Sequence, residues 1–185
     1  MERSVDARSI TPRLLYHAPD RSMTLGTAGG VFIQIYREDF TPEAMHVLKQ
    51  HELAFARERK SRIPCISVLD VTHVHLLHFS KPAREAALEL TREMAPYLLC
   101  SAVVFDRDGF LASAIRSLVT TVNVFAKQKH LVSVFGSIPA ALGWIEGSLD
   151  ARAQSDFDAE QVARAVTSLR NHEGDAIRTS LPSAP

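Results

Sequence analysis

The chain has little cysteine: two residues in 185. Two thiols cannot build a disulfide framework, and Cys65 and Cys100 both sit in apolar, strand-like runs. That placement suits reduced, buried thiols in a cytoplasmic protein and argues against a redox pair. Net charge is also lacking, with 21 lysines and arginines against 21 aspartates and glutamates. A balanced chain has no broad field to draw in nucleic acid or acidic lipid. Long hydrophobic runs are absent too. The most apolar stretch, 98–106, is far too short to span a bilayer, and the opening Met1-Glu-Arg-Ser-Val-Asp6 has no apolar segment of a signal peptide. These absences predict a cytoplasmic protein with no membrane span and no nucleic-acid partner. There is no internal repeat.

What the chain does have is alternation of strand and helix patterns around the 98–106 run. That run has the length of a strand buried on both faces, which requires helices on both sides. Residues 22–25 suggest a short edge strand, the glycines of 26–30 a turn, and 31–36 a clear strand. Those glycines lead into a strand, with no following lysine and serine, so they are not a phosphate loop. Thr41-Pro42-Glu43 opens a helix over 42–60, since threonine caps, proline suits the first turn and glutamate favours the positive end. Its apolar stripe is read as Ala44, Val47, Leu48, Ala54 and Phe55, with His51 beside them. Arg57, Arg59, Lys60 and Arg62 cluster near its end, where cations meet the negative helix terminus.

A second strand lies within 63–71, and 72–79 is a crossing segment with three histidines. Ser80 caps a helix over 81–94 with the stripe Ala83, Ala86, Ala87, Leu90 and Met94. After the 98–106 strand come a helix over 109–126, a strand over 131–135 and a short helix opened by Ser137 and Pro139. The lone tryptophan, Trp144, is expected to pack in the core or at its rim. A last helix is marked by Asp158 and Gln161 as a capping box, Phe157 and Val162 as a staple, and the stripe Val162, Ala165, Val166 and Leu169. The fold class is α/β, a single mixed, mostly parallel sheet of about five strands with helices packed on it and one C-terminal helix. The expected organisation is a flexible arm over 1–20, a folded domain over 21–150, an amphipathic helix within 151–172 and a disordered tail over 173–185.

Three motifs bear on chemistry. Val103-Val-Phe-Asp106-Arg-Asp108-Gly-Phe110 resembles the first motif of haloacid dehalogenase-like phosphohydrolases, in which one aspartate attacks phosphorus and the next is the general acid beside magnesium. Phe110 replaces the expected threonine or valine, the later lysine and paired aspartates are missing, and the motif falls past the midpoint of the chain. The plain reading is a polar turn with Asp108 capping a helix. His73 and His75 would share a strand face with His78 pointing elsewhere, but no further ligand completes a metal site. No cofactor or metal is therefore expected. Ser80 is first of all an N-cap, although a phosphate there would meet the positive helix end.

The order Pro82-Ala-Arg-Glu-Ala-Ala-Leu88, Leu99-Cys-Ser-Ala-Val-Val-Phe105, the helix with Arg116, and Val134-Phe-Gly-Ser-Ile-Pro-Ala-Ala-Leu-Gly-Trp144 resembles a STAS domain of the SpoIIAA-like (STAS/SEC14-like) bacterial branch. The resemblance covers about residues 22–150. It implies a non-enzymatic, regulatory protein–protein interaction module, with phosphorylation of a serine at a helix start in some members. Only Ser80 matches that serine; the aspartate, second serine and glycine around it are absent. The surface expected to meet an unknown partner protein comprises His75, His78, Ser80, Lys81 and Arg84. The alternatives are a phosphohydrolase using Asp106 and Asp108, or a carrier of a small apolar ligand or lipid. Self-association through the weakly charged face of helix 109–126, giving a homodimer, is a further expectation.

Overall fold

The computed structural model describes residues 12–38, 40–70, 80–105 and 131–172. They form one six-stranded sheet whose strands lie in chain order: β1 (Arg13–His17), β2 (Met23–Ala28), β3 (Val31–Tyr36), β4 (Ile63–Leu69), β5 (Leu98–Val104) and β6 (Leu131–Phe135). The first two pairings are antiparallel and the remaining three parallel. The architecture is the expected α/β, with one strand more than the pattern suggested. The additional strand is β1, inside the stretch read as a loose arm. Pairing with β2 orders Arg13–His17 in spite of Pro12 and Pro19, and residues 1–11 lie outside the described residues. β2 is therefore an inner strand, and β1 takes the edge. A bulge between Leu14 and Tyr16 there interrupts the ladder in the way that discourages pairing with other chains.

Helices α1 (Pro42–Arg59) and α2 (Lys81–Met94) connect β3 to β4 and β4 to β5. Successive crossovers running the same way along a sheet place their helices on one face. Here α1 and α2 pack together, and their side Met45, Leu48, Phe55 and Met94 join Phe32, Tyr36, Cys65 and Leu69 of the sheet. Once β6 has formed the second edge, the chain turns back across the opposite face. There α3 (Ile138–Ser148) lies over β5 and β6. A single turn, α4 (Ala151–Gln154), leads to α5 (Ala159–Arg170), which covers β2 and β3. Leu142, Ile145, Val162, Val166 and Leu169 fill this second core against Ile33, Ile35, Ile66, Val68, Cys100, Ala102 and Val104. The C-terminal helix is thus a wall of the domain and not an appendage to it.

The two cysteines are free and buried, one in each core. Burial raises the Cys65 thiol well above its ordinary range and the Cys100 thiol to about 11, so neither is a ready nucleophile. The strands enclosed most completely are β2 and β3, each buried at all six positions. β5, expected to be sandwiched, is buried at Leu98, in the first core, and at Cys100, Ala102 and Val104, in the second core on the α3 side. Its alternate residues are half-buried. Trp144 sits at the rim, its ring 5.4 Å from that of Phe135.

The predicted caps form. Thr41, Ser80, Ser137 and Asp158 each accept the backbone N–H three residues on, at 3.1, 3.3, 3.4 and 2.9 Å. The β2–β3 turn is narrower than the glycine run implied: only Gly29 and Gly30 turn, with φ of 50° and 75°, the positive values a two-residue hairpin needs. Gly29 also lies against α5, where an added Cβ would sit 2.9 Å from the Asp158 carbonyl oxygen. Left-handed backbone costs an ordinary residue about 1–2 kcal/mol, and the contact adds to it. Gly29→Ala is therefore expected to lower stability by about 2 kcal/mol or more, read as a shift of the urea midpoint. An unchanged midpoint would mean that the hairpin and α5 yield freely.

Candidate functional site

Because β3 to β6 are parallel, their carboxyl ends share one edge of the sheet, and α1, α2 and α3 start from it. In open α/β sheets this edge is where ligands and partners meet the fold. The antiparallel strands also contribute: β2 begins here and β1 ends here, with His17 opposite Thr24 in register. The edge therefore collects His17, Thr24, Arg37 and Asp70, the N-caps Thr41, Ser80 and Ser137, and the C-terminal end of α5.

Arg37, just past β3, is the hub of this edge. Its Nη2 donates to the Leu169 and Arg170 carbonyls at 2.8 and 3.0 Å, and its Nη1 donates to Thr24 Oγ1 at 2.9 Å and the Arg21 carbonyl at 3.3 Å. Half-burial lowers its proton affinity, Asp70 raises it and Arg170 lowers it again. Arg170 Nε lies 3.9 Å from Asp70, and among the described residues neither it nor the buried His172 Nε2 has a hydrogen-bond partner. The result is a cationic margin held by one arginine.

Of the residues expected at a partner surface, Ser80 is exposed and caps α2. Lys81 projects into solvent, 80% exposed, with only a 3.9 Å approach to Glu85. The histidines His75 and His78 fall outside the described residues, as do Asp106, Asp108 and the helix expected over 109–126. The side chain of Arg84 is likewise outside them. Among the described residues no cluster of three metal-ligating side chains occurs, and no helix is long and apolar enough to cross a membrane. A shallow groove of about 220 Å³ runs between Met45, His46 and Lys49 of α1 and Ala86, Glu89 and Leu90 of α2. It is open at the surface and is spanned nearby by the Lys49–Glu93 pair at 2.8 Å.

Beneath α1 lies a polar cluster that the apolar pattern concealed. Glu52 is 3% exposed, and its Oε1 accepts from Gln34 Nε2 at 3.3 Å and from the Cys65 thiol at 3.1 Å. Gln34 Oε1 in turn accepts from Tyr36 Oη at 3.2 Å and Ser67 Oγ at 2.9 Å. Burial lifts the Glu52 carboxyl to about 7, with the Cys65 hydrogen bond opposing, and pushes the Tyr36 phenol well up. The buried face of α1 is Met45, Leu48, Glu52, Phe55 and Ala56, whereas Ala54, read into the stripe, is exposed. The spacing held the signal: Glu52 follows Leu48 by four residues and precedes Phe55 by three, which places it on the inner face. No protein-family model, curated protein or solved structure matches this chain.

Proposed function

We propose that this protein is a non-enzymatic regulatory module, STAS-like in kind, that docks a partner protein at the carboxyl edge of its sheet. In this reading, modification of Ser80 switches the docking. The observation that carries it is the exposed Ser80 side chain at the N-terminus of α2, on an edge where two other capped helices also begin. A phosphate at that position would sit at the positive end of a fourteen-residue helix, next to the Ala83 N–H that Ser80 caps and the exposed Lys81. Phosphorylation would thus add a dianion to the docking surface without disturbing the core.

Ser137 provides a matched control. It is also an exposed N-cap, on the same edge, with a proline in the first turn behind it. Aspartate caps as well as serine, so Ser80→Asp and Ser137→Asp both keep their helices and differ only in where charge is added. Quantitative affinity capture from the native cell, with wild type and both variants as bait, is expected to yield a partner whose recovery changes severalfold with Ser80→Asp and not with Ser137→Asp. A partner set indifferent to both substitutions would defeat the proposal.

A further inference from the structure

One chain of hydrogen bonds joins four elements at the carboxyl edge. It runs from the last carbonyls of α5 through Arg37 to Thr24 on β2, and from Thr24 Oγ1 to His17 Nδ1 on β1, 2.9 Å away. Thr24 is completely buried, so its hydroxyl has no solvent alternative. A guanidinium only donates, so the Thr24 oxygen accepts from Arg37 and its one proton is left for His17. The neutral imidazole with its proton on Nε2 presents Nδ1 as the acceptor that this hydroxyl proton needs. Its ring meets that of His172, two residues beyond α5, edge-on at 5.2 Å.

The surroundings oppose a charge on this imidazole. Burial lowers the proton affinity of His17 most. His172 at the end of α5, Arg37 after β3 and Arg21 in the β1–β2 turn lower it further, and Asp20 in the same turn opposes them. Asp70 after β4 is placed against Arg170 and Arg37.

We propose that His17, Thr24 and Arg37 form an acid-opened latch that fastens edge strand β1 and the last turn of α5 to the sheet. Protonation at Nδ1 turns the ring from acceptor into donor. The Thr24 hydroxyl proton then has no acceptor, and a new positive charge stands beside Arg21, Arg37 and His172. Because the closed form holds His17 below its ordinary value of 6.5, it binds fewer protons than the open form. The stabilisation is complete above 6.5 and is lost as pH falls through the depressed value. Loosening the last turn of α5 would uncover Gly26 of β2, which the Leu169 side chain covers, and with it apolar sheet surface.

Hydrogen exchange on the full-length protein tests the latch. With intrinsic exchange corrected, protection of amides in 13–17 and 166–171 is expected to fall about threefold or more, relative to β3 and β4, between about pH 7.5 and about pH 5. His17→Gln keeps an oxygen acceptor for Thr24 but cannot titrate, and its protection in both segments is expected to stay level across that range. His51→Gln removes the other imidazole, among the described residues, whose proton affinity burial depresses, and is expected to retain the fall. Wild-type protection that does not change with pH, or a fall equally large in His17→Gln, would overturn the proposal.

Discussion

Replacing Glu52 by glutamine is expected to stabilise the protein by about 3 kcal/mol at about pH 8 and to change little at about pH 4. Glu52 is buried under α1, and its two donors, Gln34 and the Cys65 thiol, are both neutral. They offset only part of the cost of holding a carboxylate away from water. The carboxyl consequently titrates at about 7 in the fold, against 4.5 when exposed. Between those values the folded protein binds the extra proton. Its contribution is complete below 4.5, declines as pH rises, and is gone above about 7. The gap corresponds to about 3 kcal/mol, a large share of a typical domain's stability. Glutamine keeps an oxygen for both donors and carries no charge at any pH. Urea midpoints of the two proteins across this range should converge in acid and diverge in base; curves that stay parallel would show that Glu52 is not the group responsible. The direction is opposite to that of the His17 latch, which weakens in acid, so the two titrations are separable in one series.

The parts of the fold that local chemistry dictates were readable from the residues. Thr41, Ser80, Ser137 and Asp158 cap the helices that their sequences announce, and the stripe Val162, Ala165, Val166 and Leu169 is buried as its spacing requires. What escaped was set by tertiary context. Arg13–His17 reads as an arm because two prolines flank a short apolar run, and only the open edge of β2 makes it a strand. Glu52 breaks an apolar stripe in sequence, yet it completes that stripe in space because Gln34 and Cys65 wait beneath it. The edge cluster assembles from positions 17, 24, 37 and 170, and no local spacing joins residues so far apart. Ser80 and the neighbouring Lys81 link the sequence-derived surface to the observed edge, because Ser80 is legible as a helix cap from local spacing alone.

Ending the chain after Asp156 is expected to abolish cooperative unfolding. The pattern suggests a core that stops near residue 150, with a separate helix after it, and on that view the truncated chain would fold almost unchanged. The packing argues otherwise. Val162, Val166 and Leu169 are almost wholly buried, and Gly26 and Gly29 have no side chains where α5 lies closest to the sheet. Burying three such side chains contributes about 5–9 kcal/mol at about 1.5–3 kcal/mol each, comparable with the entire stability of a domain this size. Without α5 the face of β2 and β3 that carries Ile33 and Ile35 would meet water, and Arg37 would lose both helix carbonyls. The truncated chain should therefore show a broad thermal transition and bind apolar dyes. A sharp transition within a few degrees of the full-length protein would return α5 to the status of an appendage. It would also remove the ground for a latch at its end, because a helix that contributes nothing to the core has nothing to uncover when it is released.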